Sequence, residues 1–213
     1  PYRMLEDLAI FYKVLISKDA NGTGTITVTN NHMEYWGLTE EQLYETAIKN
    51  SNVLEPPSID RLTNVMADLM RAQGMDEDII ENQLKEDDID MYVISNTTKA
   101  NGASVIVYSD ALQQVAENLG SDLYILPSSI HEVLALPVGN KDVDSLEEMV
   151  RCVNQTEVSP TEVLSDNVYK YDAESRTLSL ASAKAETVKE TAVCEPSGYT
   201  GTVNEVARPR HHR

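Results

Sequence analysis

The chain has 213 residues, 41% of them hydrophobic, and its 35 acidic side chains against 17 basic ones give a net charge of −18. This length can bury a core without disulfides or metals, and two cysteines, Cys152 and Cys194, are too few for a disulfide framework. No segment approaches the roughly 20 apolar residues of a membrane helix, and the acidic surplus repels phosphate backbones and anionic lipid, so we expect a cytoplasmic protein that binds neither membranes nor nucleic acid directly.

The N-terminal quarter shows a pattern that recurs along the chain: two apolar runs around a polar turn, followed by a capped helix. Here the runs are residues 8–16 and 25–29, and the turn is 18–24. The segment Thr39-Glu40-Glu41-Gln42 is a capping box, which predicts that the helix begins at Thr39. The pattern therefore predicts a β-hairpin with an amphipathic helix.

Residues 58–90 are predicted to be a helical and acidic insertion after this first unit. A stripe of apolar residues from Leu62 to Met70 predicts a helix that ends at Gly74. The following stretch, 75–90, holds eight acids against the single Lys85. Its apolar residues Ile79, Ile80 and Leu84 allow a short amphipathic turn or two, but the charge favours a mobile surface loop, which is the prediction.

Two further units follow the insertion. The second has runs at 91–95 and 103–108 around a turn at 96–102, and its helix begins after Ser109-Asp110 and ends at Gly120. The third has runs at 122–126 and 132–136 around a Pro127-Ser128-Ser129 corner. Its helix, 144–154, is predicted to turn four apolar residues inward: Leu146, Met149, Val150 and Val153. A last pair of runs, 168–172 and 176–180, forms a hairpin without a helix.

Hairpins with such short turns require antiparallel pairing. The fold class predicted is therefore α+β, with an antiparallel sheet built from repeated β-hairpin-plus-helix units and helices packed on the sheet. One domain is expected over residues 1–181. Residues 182–213 lose the apolar period and are predicted to be a disordered tail.

Four segments resemble DUF5688, an uncharacterised bacterial family known only as a domain of unknown function and common in gut Firmicutes. They are Asp7 to Ile10, Trp36 to Tyr44, Leu123 to Val133 and Leu164 to Asp172. The resemblance implies an architecture and a bacterial host, often near mobile genetic elements, but no activity, cofactor or catalytic residue. Because members typically carry a further N-terminal region and this chain lacks an initiator Met, we expect the C-terminal part of a longer protein.

The corner of the third unit combines two hydroxyls, an imidazole and a carboxylate: Ser128, Ser129, His131 and Glu132. If the segment is extended, Ser129 and His131 share one face while Ser128 and Glu132 point the other way. A nucleophile and its general base need these residue types within hydrogen-bond reach. The alternative is a structural corner whose hydroxyls satisfy turn amides. The same residues also suit substrate binding.

The only tryptophan, Trp36, and its neighbour Tyr35 form either an exposed aromatic patch for a partner or a plug in the core, and the core is expected. No metal site is predicted, because the folded part has only two histidines, His32 and His131, and the acids of 75–90 lack the spacing of a calcium loop. No cofactor is expected either.

Three functions follow from these observations. The first is a non-enzymatic interaction or regulatory module, whose acidic surface suits a basic protein partner. The second is a small hydrolase or transferase that uses Ser129, His131 and Glu132. The third is an acidic mimic of nucleic acid, which requires carboxylates spaced like phosphates. Whether the protein is an enzyme, and its oligomeric state, are left open.

Overall fold

The computed structural model describes residues 1–19, 22–85, 90–127, 129–139 and 141–182, which lie in one compact unit, Pro1–Ala183. It confirms the α+β class. The strands in these residues are β1 (Tyr2–Leu5), β2 (Leu8–Phe11), β3 (Lys13–Asp19), β4 (Gly22–Thr27), β5 (Pro57–Arg61), β6 (Tyr92–Asn96), β7 (Leu123–Leu126), β8 (Val133–Pro137), β9 (Tyr169–Asp172) and β10 (Thr177–Leu180). The helices are α1 (Asn30–Trp36), α2 (Glu40–Leu54), α3 (Leu62–Ala72), α4 (Glu77–Lys85), α5 (Val105–Tyr108), α6 (Ala111–Leu119) and α7 (Val143–Thr156). The predicted tail falls almost entirely on 183–213, outside the described residues, so the division into domain and tail stays a prediction.

Six strands form the main sheet in the order β10-β9-β7-β8-β6-β5, with every neighbouring pair antiparallel. Alternate residues of β7 enter different cores: Leu123 and Ile125 pack in one cluster with α6, and Tyr124 and Leu126 in another with α7. Both faces of this strand are therefore buried, which explains its uninterrupted apolar sequence. The predicted hairpins β7–β8 and β9–β10 are confirmed.

The N-terminal strands form two separate two-stranded ribbons, β1–β2 and β3–β4. Only one hairpin was predicted here, and the single strand predicted for 8–16 is wrong. Tyr12 interrupts the strand and separates β2 from β3. It is 4% exposed and packs with Val28, Met33 and Leu43 in a small hydrophobic cluster separate from those of the main sheet. The residues before Tyr12 form β2, which pairs with the preceding strand β1. The residues after Tyr12 form β3, which pairs with the following strand β4.

Helix α2 begins as predicted. The Gln42 backbone N–H donates to Thr39 Oγ1 at 3.3 Å, and Gln42 Oε1 accepts from the Thr39 backbone N–H at 2.9 Å, which is the reciprocal capping box. Helix α1 was not predicted. Its signal was a second reciprocal pair, in which the Thr29 backbone N–H donates to His32 Nδ1 at 3.0 Å.

The strand predicted for 103–108 is wrong, because these residues form a 3₁₀ turn at Gly102–Ser104 and then α5. Their β-branched residues favour a strand. However, β6 already pairs with β5 on one side and β8 on the other. No edge of β6 is left for a hairpin partner, so the chain winds into helix instead.

The mobile loop predicted for 75–90 is wrong over Glu77–Lys85, which is helix α4. Ile80, only 1% exposed, anchors α4, and Arg71 of α3 bonds to both Asp68 and Glu77. Residues 86–89 lie outside the described residues. The first residues of the predicted insertion, 58–61, belong to β5, an edge strand of the main sheet.

Helices α6 and α7 follow their predictions closely. Gly120 ends α6 with a left-handed φ of 63°, and Asp142 caps α7 by accepting from the Ser145 backbone N–H at 3.3 Å. Leu146 and Val150 of α7 are buried, but Met149 is 52% exposed, so its inward assignment is wrong. In the described part of the chain, no helix combines the length and apolar character needed to cross a membrane.

Candidate functional site

In the predicted Ser-Ser-Ile-His-Glu segment, the described residues 129–132 connect β7 to β8 and bend at Ile130 and His131. Ser128 lies outside the described residues. Ser129 is 8% exposed, and its Oγ accepts the His131 backbone N–H at 3.0 Å. This is the bond of the structural alternative, in which a serine hydroxyl satisfies a turn amide. The alternation of faces was predicted for an extended segment, and that condition is not met, since the chain bends at Ile130 and His131 before β8 begins at Val133.

Both ring nitrogens of His131 face other groups. Nδ1 accepts the Asn101 backbone N–H at 3.2 Å, and Nε2 lies 3.5 Å from Glu162 Oε1. A neutral His131 therefore carries its proton on Nε2, and the lone pair that a general base needs is already used by a backbone amide. The carboxylate beside the ring is Glu162, in the loop after α7, and not the predicted Glu132. Catalysis by Ser129, His131 and Glu132 stays a prediction.

Three loops meet at this segment. Ser95 Oγ donates to the His131 carbonyl at 2.7 Å, the Ala103 N–H donates to the Ile130 carbonyl at 3.1 Å, and the Ile130 N–H donates to the Glu162 carbonyl at 2.9 Å. Buried polar backbone groups need partners, and this junction supplies them. The motif therefore ties the ends of β6, β7 and α7 together.

The loop 96–102 that packs on His131 is held in an unusual conformation. Lys99 and Asn101 have φ values of 56° and 51°, in the left-handed region that disfavours side chains. Buried Asn96 holds the loop, because its Oδ1 accepts from the backbone N–H groups of Thr98 and Ala100 at 3.1 and 3.3 Å. The sequence predicts the turn at 96–102 but carries no signal for its contact with His131.

A second constellation forms at the turn of the β1–β2 ribbon, around Asp7. Its carboxylate accepts from Ser165 Oγ at 2.8 Å, from Asn167 Nδ2 at 3.0 Å and from the Tyr169 hydroxyl. Burial alone raises the pKa of Asp7, but the bonds from Tyr169, Ser165 and Asn167 outweigh it and hold that pKa below its ordinary value. A carboxylate this well satisfied is a poor proton acceptor and an effective anchor.

The strand side of the same ribbon is anchored by Arg3. The guanidinium donates to Glu40 at 2.8 Å and to Glu41 at 2.5 Å, and it lies 3.9 Å above the ring of Tyr44. The hydrogen bonds from Arg3 and from the Tyr12 hydroxyl lower the pKa of Glu40. Arg3 therefore joins β1 to the first turn of α2, next to the capping box.

Together the two anchors fix the ribbon on the body of the protein and leave its outer face exposed, with Lys13 Nζ 5.3 Å from the centroid of the Phe11 ring. Alternate residues of β1 and β2 point outward as cross-strand pairs, Tyr2 opposite Phe11 and Met4 opposite Ala9. We call these four residues the outer ribbon face. Tyr2, Met4 and Phe11 are 66, 55 and 57% exposed.

The aromatic pair is also at the surface. Tyr35 is 88% exposed and Trp36 is 41% exposed, so the expectation that Trp36 plugs the core is wrong. Trp36 stacks on His32 with ring centroids 5.4 Å apart. Both residues stay candidate binding residues, and the structure keeps them accessible at the C-terminal end of α1.

The model of a family of unknown function (DUF5688) matches residues 1–173, which include the ribbon, both of its anchors and the three-loop junction. No curated protein and no solved structure matches the chain.

Proposed function

The chain belongs to the family of unknown function DUF5688, and from its own surfaces we propose that it is a non-enzymatic interaction module that binds a basic protein partner through the outer ribbon face. The observation that carries this proposal is the exposure of Tyr2, Met4 and Phe11 on one side of a two-stranded ribbon. A solvated strand face is ordinarily polar. A contiguous apolar face marks a contact surface.

The anchors favour binding because they make the ribbon rigid before a partner arrives. An isolated two-stranded hairpin is marginally stable in water. Here Asp7 fixes the turn and Arg3 fixes the strand. A pre-organised surface loses little conformational entropy when it binds.

The segments on which the family resemblance rests supply most of these anchors. The first contains Asp7; the second contains Glu40, Glu41 and Tyr44; the fourth contains Ser165, Asn167 and Tyr169. Although far apart in sequence, they converge on the ribbon. Their shared task is therefore to hold this ribbon in place.

Acidic groups beside the outer ribbon face favour a basic partner. Tyr2 lines a shallow hollow together with Met33, Glu34 and Glu40. Glu40 is paired with Arg3, whereas Glu34 adds a carboxylate to the rim. A partner that places apolar side chains on the ribbon and a lysine or arginine near Glu34 matches both features. A cytoplasmic location and a Firmicutes host are part of the proposal.

We expect the double substitution Tyr2→Ser with Phe11→Ser to abolish partner capture, because it removes the two largest apolar side chains of the outer ribbon face. The intact gene product serves as bait in extract of its native host, followed by quantitative mass spectrometry and a direct binding measurement with the enriched protein. The matched control is Val53→Ser, since Val53 is 78% exposed on α2 and outside the ribbon. Equal capture by both variants, or a captured protein without a basic surface, contradicts the proposal.

A further inference from the structure

A cleft lies beside the ribbon, lined mainly by its inward-facing residues Leu5 and Ile10, with Met4 of the outer ribbon face at its edge. Its volume is about 200 Å³, and its walls come from the ribbon, from α5 and α6, and from β9 and β10. The apolar part of the wall includes Leu5, Ile10, Ile106, Leu112 and Leu178. Leu112 belongs to the main core, and Ile106 and Leu178 pack against it. The cleft therefore opens onto the edge of the hydrophobic core.

Two arginines, Arg3 and Arg176, line this apolar cleft in a strongly acidic protein. Arg3 is held by Glu40 and Glu41. Arg176 lies 3.7 Å from Asp110, and the two side chains are 59 and 79% exposed. An exposed pair at this distance contributes little, so the Arg176 guanidinium can exchange its partner for another anion.

The backbone at Arg176 also has an unusual conformation. Its φ of 56° lies in the left-handed region, in the turn between β9 and β10 where glycine or asparagine is usual. A side chain held in such a conformation costs of order 1 kcal/mol and is over-represented at binding sites. The outlier is therefore a second indication that this arginine has a role beyond the turn.

We propose that the cleft binds a small organic carboxylate with a short aliphatic body. The carboxylate bonds to Arg176, because a guanidinium fork matches two carboxylate oxygens. The aliphatic body lies between Ile10, Ile106 and Leu178, where its apolar surface is buried away from water. The volume is smaller than that of drug-sized pockets, so the ligand has only a few carbons and binds with a dissociation constant of roughly millimolar. This inference does not rest on the outer ribbon face.

Titration of the ¹⁵N-labelled chain with hexanoate tests the proposal. We expect saturable amide shifts at the cleft residues Leu5, Ile10, Ile106 and Leu178. Acetate, which lacks the aliphatic body, and hexanol, which lacks the charge, should both bind more weakly than hexanoate. Arg176→Gln weakens hexanoate about tenfold, the loss of one charge-assisted hydrogen bond. Arg151→Gln, at a half-exposed arginine of α7 that is paired with Glu147 at 3.5 Å and lies outside the cleft, is the matched control and leaves the affinity unchanged.

Three results overturn the inference: shifts that map away from the cleft, hexanol binding as tightly as hexanoate, or equal affinity in the Arg176→Gln variant and the wild type. Partner capture by the ribbon is measured separately and is unaffected by Arg176→Gln. A failure of the cleft therefore leaves the proposed interaction function standing, and a failure of partner capture leaves the cleft standing.

Discussion

Gly102→Ala is expected to destabilise the protein by ~3 kcal/mol or more, or to prevent folding. A Cβ at this position would lie 2.1 Å from Ser95 Oγ, 2.4 Å from the His131 carbonyl oxygen and 2.7 Å from the Asn96 nitrogen. Two of these atoms belong to backbone that the three-loop junction already holds. Neither can move without breaking the bonds that join β6, β7 and the loop after α7.

Gly139→Ala is the matched control, because a Cβ there meets no atom within 4 Å beyond its chain neighbours. This substitution should be neutral or slightly stabilising, since alanine lowers the conformational entropy of the unfolded chain. Urea denaturation followed by circular dichroism gives both free energies of unfolding. If the two variants unfold at the same urea concentration, the close packing at Gly102 is wrong, and with it the structural role of the Ser129 to His131 turn.

Asp7→Asn is the second large effect we expect, a loss of about 2–3 kcal/mol at neutral pH. The carboxylate accepts from three donors, and one of them, the Tyr169 hydroxyl, belongs to a residue that is only 1% exposed. The amide that replaces it carries no charge and has only one acceptor oxygen. At least one of the three donors then loses its partner, and the remaining hydrogen bonds are no longer charge-assisted. Glu6→Gln removes the same charge from the neighbouring turn position and should change stability little.

The effect of Asp7 should also depend on pH in a defined direction. The folded pKa of Asp7 lies below its unfolded value, which is about 3.9. The unfolded chain therefore binds a proton first as pH falls, and the stabilisation is complete above about pH 4 and lost as pH drops through the folded pKa. The difference in unfolding free energy between wild type and Asp7→Asn should be constant near neutral pH. It should shrink as the pH falls below about 4. A gap that stays unchanged down to pH 2 contradicts the anchor.

Both predictions concern contacts between residues far apart in the chain, and both carry over to function. Asp7 and Arg3 orient the ribbon whose outer face we propose as the binding surface. The three-loop junction fixes the loop before β9, which supplies Ser165 and Asn167 to Asp7. The Asp7→Asn variant should therefore bind a partner more weakly even where it remains folded, because its ribbon is no longer pre-organised.

The sequence by itself determined the elements whose signals are local. The capping box at Thr39, Gly120 after α6 and the hairpins β7–β8 and β9–β10 depend on residues within a few positions of one another. Capping bonds and short turns form in the same way whatever lies around them. Apolar periodicity also placed Leu146 and Val150 in the core.

Only the tertiary structure decided which strand edge, which surface and which partner each remaining segment receives. Residues 103–108 favour a strand by their local sequence, but both edges of β6 are already paired. One of those edges pairs with β5, Pro57–Arg61. Trp36 is apolar but lies where no core covers it. The partner carboxylate of His131 and the three donors to Asp7 come from segments that are distant in the sequence. Such contacts carry no local signal, because they depend on the closure of the whole fold rather than on the preferences of neighbouring residues.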